Sequence, residues 1–144
     1  MALSQKAHDD VASNSPIEAA YRARTPGSAR RAAAAQAVFP SGLVHDSRRM
    51  WPYPLYVERA KGARKWDVDG NEYVDYFGGH GALILGHGHP AVLAAVHEQL
   101  DRGTHYAACH DLEVEWGERI QRMVPCAERL RFTSSGTEAN LMAI

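Results

Sequence analysis

Residues 129–144, RLRFTSSGTEANLMAI, constrain the fold of this chain more than any other stretch. The alternating apolar residues predict a strand over 129–133, and a helix follows directly after the turn, from about Thr137. A helix start presents backbone N–H groups that have no partner inside the helix, and the helix dipole adds positive potential there. Flexible Gly136 and the hydroxyls beside it therefore predict a turn that can bind a phosphate group.

The same turn allows a second interpretation. Ser135 and Glu138 have the spacing of a capping box, in which the two side chains satisfy a helix start without any ligand. Taken alone, the pattern leaves both interpretations open.

Bulk composition excludes several classes of protein. The 144 residues fit one domain with a core, and a net charge of −1 favours neither nucleic acid nor an anionic membrane as a partner. No apolar run approaches the ~18 residues of a membrane span, and the N-terminus is not a secretory signal. Cys109 and Cys126 lack the spacing of a metal or redox pair. We therefore expect a cytoplasmic protein without a metal site.

The order of predicted elements indicates an α/β fold that is only beginning. A polar arm over residues 1–15 is followed by helices from Ser15 and over Ser28–Val38, separated by Thr25-Pro26. The later elements are a strand over 55–60, a hairpin of 65–68 and 72–76 around Asp69-Gly70, an irregular glycine-rich segment over 78–88, a helix over 90–102 ended by Gly103, and a helix over 111–124 capped by Asp111 or its neighbour.

We divide the chain into an N-terminal arm with helices (1–39), a small-domain segment with the hairpin and the glycine-rich turn (40–88), and the start of a large domain (89–144). The chain ends inside an apolar helix, so we expect a piece of a longer protein.

Two segments, WDVDGNEYVDYFGGHGALILGHGHP (66–90) and RFTSSGTEAN (131–140), resemble the N-terminal part of the class III aminotransferases in their order and spacing. The resemblance covers residues 40–144 and is strongest with the branch that includes glutamate-1-semialdehyde aminomutase. It implies a pyridoxal-phosphate enzyme of fold type I, a homodimer, that transfers an amino group between an amino donor and a carbonyl acceptor. Intramolecular transfer by an aminomutase is the alternative.

The resemblance assigns roles to individual residues. Ser135, Gly136 and Thr137 match the turn that holds the cofactor phosphate, which belongs to pyridoxal 5'-phosphate. Arg48 aligns with an arginine that can meet a substrate carboxylate through paired hydrogen bonds. His80 matches a position that lines the substrate pocket.

Two departures weaken the match with the aminomutases. Those enzymes tend to carry tryptophan where this chain has His80, and an Asn-Ser pair where it has Val44-His45. The departures favour a general aminotransferase.

The lysine that forms the Schiff base in this family cannot be assigned here. Lys6 lies in the arm, and we expect Lys61 and Lys65 to be exposed lysines at strand ends. The chain alone is therefore predicted to be inactive.

Other functions remain as alternatives. The chain can act as a dimerisation or binding module, because active sites of the resembled family lie between two subunits. A metal site is indicated only loosely by the four histidines of residues 80–97, of which we interpret His87 and His89 as structural. Adjacent Cys109 and His110 do not by themselves make a nucleophile and its base.

Overall fold

The computed structural model describes residues 15–144, which form two compact units, 15–95 and 96–144. The predicted arm up to Asn14, with Lys6, lies outside the described residues. The elements are α1 (Ser15–Arg24), α2 (Pro26–Gln36), 3-10 turns at Pro40–Gly42 and Asp46–Arg48, β1 (Val57–Lys61), β2 (Arg64–Asp67), β3 (Glu72–Val74), α3 (Pro90–Arg102), α4 (Asp111–Met123) and α5 (Gly136–Ala143).

The predicted hairpin is confirmed, and β1, β2 and β3 form one antiparallel sheet in chain order. Asp67 is fully buried at its turn and accepts hydrogen bonds from the backbone N–H groups of Asp69 (3.0 Å) and Asn71 (2.8 Å). Tyr73 donates its hydroxyl to the same carboxylate at 2.8 Å. Burial, followed by this bond to Asp67, raises the pKa of Tyr73 to about 12. Buried hydrogen bonds therefore fix the turn.

The same turn also caps a distant helix. The Asp69 carboxylate accepts hydrogen bonds from the N–H groups of Gly27 (2.6 Å) and Ser28 (3.1 Å), at the start of α2. Thr25, the residue before α2, provides no side-chain cap, because its hydroxyl donates to the carbonyl of Tyr21 at 2.7 Å. Asp69 thus satisfies orphan helix donors from another part of the chain.

The predicted helix over 90–102 is confirmed, and Gly103 follows it with a φ of 122°. His110, the neighbour of Asp111, caps α4, because its Nδ1 accepts the N–H of Leu112 at 3.1 Å. None of the described helices is long and apolar enough to cross a membrane.

The strand predicted over 129–133 was wrong. This segment pairs with no other strand in the described part of the chain, and a strand requires a neighbour that completes its hydrogen-bond ladder. Its Phe132 ring instead stacks on Trp116 of α4, with centroids 3.9 Å apart and planes 7° apart. The described residues therefore consist of helices and one small antiparallel sheet.

Candidate functional site

The turn predicted to bind phosphate lies at the start of α5. Ser135 is the N-cap residue, with an extended backbone (φ −153°, ψ 158°), and its Oγ accepts the N–H of Glu138 at 3.2 Å. The same hydroxyl donates to the Glu138 carboxylate at 3.0 Å. The Ser135 half of the expected capping box is therefore present, and Glu138 accepts the Ser135 hydroxyl rather than the Ser135 backbone N–H.

The backbone N–H groups that follow this cap suit an anion. The first backbone bond of the helix runs from Ala139 to the carbonyl of Ser135 (3.0 Å), so the N–H groups of Gly136 and Thr137 precede it. A Cβ placed on Gly136 would meet nothing within 4 Å, so no side chain blocks an approach there. These residues fit a phosphate, although the nearby Glu138 carboxylate, which accepts the Ser135 hydroxyl, would repel it.

Arg48 ends the second 3-10 turn, and its side chain is exposed. His45 precedes this turn and caps it, because its Nδ1 accepts the N–H of Ser47 at 3.2 Å and lies 2.8 Å from the Ser47 hydroxyl. The histidine that departs from the aminomutase pattern therefore organises the backbone that carries Arg48.

His80 lies in a left-handed turn. Residues 78–81 all have positive φ, with values of 49°, 59°, 61° and 84°, and His80 alone among them carries a side chain. The N–H of Gly81 closes the turn on the carbonyl of Phe77 at 3.1 Å. The exposed His80 ring packs edge-on against the Phe77 ring, with centroids 4.4 Å apart. The backbone strain of a residue with a Cβ in this region is of the kind that clusters at functional sites.

Asp75 was not among the predicted site residues. Its side chain is 5% exposed, and its Oδ1 accepts from Lys65 Nζ at 3.0 Å and from the N–H groups of Phe77 (3.1 Å) and Gly78 (3.3 Å). Its Oδ2 lies 2.7 Å from His87 Nε2. These bonds, that of His87 first and that of Lys65 second, hold the pKa of Asp75 well below its usual range. An aspartate three residues before a glycine turn is a recognisable capping signal.

The prediction that Lys65 is exposed was wrong, because this lysine pairs with Asp75 and its side chain is 29% exposed. Lys61 is exposed, as expected. His87 has a partner in Asp75, which agrees with its interpretation as a structural residue.

The remaining candidates do not form a reactive group. His110 uses Nδ1 to cap α4 and stacks on Tyr106 with centroids 4.9 Å apart, while Cys109 is an exposed free thiol. Within residues 15–144, no three histidine, cysteine or acidic side chains are grouped as a metal ion would require.

The predicted site residues lie in two places. Ser135, Gly136 and Thr137 stand together in the unit of residues 96–144. Arg48 and His80 belong to the unit of residues 15–95. Among the described residues, no hydrogen bond links Arg48 to His80.

Residues 46–144 match the family model of the class-III aminotransferases. Curated relatives include the glutamate-1-semialdehyde 2,1-aminomutases of Methanocella arvoryzae (44% identical over 110 residues) and Methylacidiphilum infernorum (48% over 113 residues). Each alignment covers 76% of this chain and 26% of the relative, so the chain spans about a quarter of the length of these proteins.

Solved structures agree with the sequence relatives. A β-phenylalanine aminotransferase from Variovorax paradoxus superposes with a TM-score of 0.85 at 33% identity, over 90% of this chain and 30% of that one. An omega-transaminase from Sphaerobacter thermophilus gives 0.78 at 38% identity, over 81% and 27%. The fold thus matches the N-terminal part of fold-type-I aminotransferases.

Three findings point to the same family: the family model that matches residues 46–144, the relatives at 44–48% identity and the superposable folds. The chain belongs to the class III aminotransferases, a family of pyridoxal-phosphate-dependent aminotransferases and aminomutases.

Proposed function

We propose that these residues form the N-terminal part of an aminotransferase that moves an amino group from an amino donor to a carbonyl acceptor. The observation that carries the proposal is the match of residues 46–144 to the class III family. The complete enzyme would work as a homodimer with pyridoxal 5'-phosphate, and most of the region that binds this cofactor lies outside the 144 residues. The division into segments 1–39, 40–88 and 89–144 belongs to the same proposal.

Within this chain, the start of α5 would hold the cofactor phosphate. The N–H groups of Gly136 and Thr137 would donate to it, and the Thr137 hydroxyl would add a further hydrogen bond. Ser135 would join them once its hydroxyl turns from the Glu138 carboxylate to the phosphate. When bound, the cofactor supplies an electron sink for the carbon that carries the reacting amino group.

Arg48 and His80 would contact the substrate. The planar guanidinium of exposed Arg48 suits a carboxylate, which it can bind through two parallel hydrogen bonds. His80 would line the substrate pocket, and its strained backbone supports a role beyond packing.

The phosphate assignment can be tested on the 144-residue chain. We would titrate it with pyridoxamine 5'-phosphate, which has no aldehyde to react with lysines, and follow backbone amide signals by NMR. The expected result is saturable shifts at Gly136 and Thr137, absent with pyridoxamine, which lacks the phosphate. Thr137→Val removes the hydroxyl at nearly constant shape and should weaken binding several-fold, by about 1 kcal/mol. Shifts that avoid these residues would refute the assignment.

An aminomutase is the second candidate, favoured by the names of the curated relatives. The His80 and Val44-His45 departures favour transfer between two molecules instead. A complete protein that carries these residues distinguishes the two. An aminomutase converts glutamate-1-semialdehyde with no added amino donor or acceptor, whereas an aminotransferase forms one product from each of two substrates.

The 144-residue chain alone should show no transaminase turnover. Lys65 is held by Asp75, and Lys61 extends from a strand end far along the chain from the phosphate turn. Turnover by the purified chain would contradict this expectation. A dimerisation module remains the alternative for the isolated chain, and sedimentation equilibrium would detect its self-association.

A further inference from the structure

The glycine-rich segment of residues 78–86 is closed at its base by one carboxylate. On the entry side, Asp75 Oδ1 accepts the N–H groups of Phe77 and Gly78, which begin the left-handed turn. On the exit side, Oδ2 lies 2.7 Å from Nε2 of His87. The same carboxylate therefore binds both ends of the segment.

The backbone reinforces this closure. Gly62 and His87 exchange two backbone hydrogen bonds, of 2.8 and 2.9 Å, which tie the exit of the segment to the turn between β1 and β2. A Cβ on Gly86 would lie 2.9 Å from the carbonyl oxygen of Gly62, so only glycine allows this approach. Lys65 on β2 pairs with Asp75 and connects the closure to the sheet.

His80 is carried by this closed segment. Its ring packs edge-on against the ring of Phe77, which is 58% exposed. A left-handed φ of 61° at a residue with a Cβ is unfavourable, by about 1–2 kcal/mol for the ordinary L-residue. Surrounding contacts must therefore impose this conformation on His80.

We propose that Asp75 and His87 are positioning residues, which cap the left-handed turn and close the segment so that His80 is held in one orientation. The benefit to substrate binding rests on the proposed function of His80. The closure itself rests only on the contacts described above.

Hydrogen exchange of the ligand-free 144-residue chain tests the closure directly. The amides to follow are those of the segment, Gly81, Leu83, Gly86 and His87. In His87→Ala we expect their exchange to rise about tenfold, the effect of losing one hydrogen bond to a charged group. His87→Gln should restore protection in part, because its side-chain amide can donate to the same Oδ2. The His80 ring signals should shift in His87→Ala, because the ring leaves Phe77.

His97→Ala is the matched control, because His97 is an exposed histidine on α3 outside the segment. It should leave the four amides unchanged. Two results would overturn the proposal. The first is that His87→Ala keeps both the amide exchange and the His80 ring signals of the wild type. The second is an equal rise in exchange throughout the sheet of residues 57–74, which would indicate a general loss of stability. Because no phosphate or substrate is present, neither result depends on whether the cofactor assignment is correct.

Discussion

Oδ2 of Asp75 lies 2.7 Å from Nε2 of His87, and this contact joins two residues that are twelve positions apart in the chain. The carboxylate is 5% exposed and receives four hydrogen bonds in all. A carboxylate with so many donors is held in its charged form, which makes this part of the fold sensitive to acid.

We expect the free energy of unfolding to fall as the pH drops below about 4. The hydrogen bonds from His87 and Lys65 lower the pKa of Asp75 from a usual value of 3.8. Burial alone would raise the pKa of Asp67, but bonds from Asn71 and Tyr73 outweigh it and lower this pKa as well. A lowered folded-state pKa stabilises the fold above the unfolded pKa, and the stabilisation disappears as the pH falls through the folded value.

Urea unfolding between pH 7 and pH 2 measures this dependence. Asp75→Asn should reduce stability at neutral pH and flatten the acid slope, because the variant has one carboxyl fewer to protonate. Asp46→Asn serves as the control, since the Asp46 side chain is 88% exposed and should leave the slope unchanged. An acid slope in Asp75→Asn as steep as that of the wild type would contradict the expectation.

Gly27→Ala should destabilise the chain by about 1–2 kcal/mol, although alanine is the better helix former. A Cβ at Gly27 would lie 2.6 Å from Oδ1 of Asp69, so the carboxylate would have to leave the helix start that it caps. Chemical denaturation of the single variants gives the cost of each change.

The matched control removes the cap first. In an Asp69→Ala background, Gly27→Ala no longer meets a carboxylate and should stabilise the chain by roughly 0.5–1 kcal/mol through helix propensity. The sign of the Gly27→Ala effect should therefore reverse. If it is equally destabilising in both backgrounds, Asp69 is not the group that requires glycine there.

Local patterns in the sequence predicted the hairpin at Asp69-Gly70 because a short turn depends on its own residues. They did not predict that Asp69 caps α2, since the two bonded residues are 42 positions apart. The exposure of Lys65 was predicted wrongly for a similar reason, because the partner of this lysine, Asp75, lies ten positions away in the chain. The strand over 129–133 failed because no neighbouring strand exists among the described residues to pair with it.

Glu138→Gln should strengthen the binding of pyridoxamine 5'-phosphate to the isolated chain. The carboxylate accepts the Ser135 hydroxyl at 3.0 Å and places negative charge beside the proposed phosphate position. Removing that charge in a well-hydrated site is worth about 1 kcal/mol, or roughly fivefold in affinity. The gain should shrink in high salt, which screens exposed charges.

NMR titration at two salt concentrations gives the affinities. Glu115→Gln removes a charge from exposed α4 and should leave the affinity unchanged. Equal affinities for the wild type and Glu138→Gln would place the phosphate away from the start of α5.

His80→Gly should be more stable than His80→Ala by about 1 kcal/mol, because only glycine adopts a φ near 61° without steric cost. Both variants lose the ring contact with Phe77, so their difference isolates the backbone. At an exposed position inside α2, alanine should instead be more stable than glycine, so Ala33→Gly should cost about 1 kcal/mol. Urea unfolding of the wild type and the three variants measures these differences. If His80→Ala is as stable as His80→Gly, residue 80 is unstrained. The backbone would then give no reason to assign His80 to the substrate pocket.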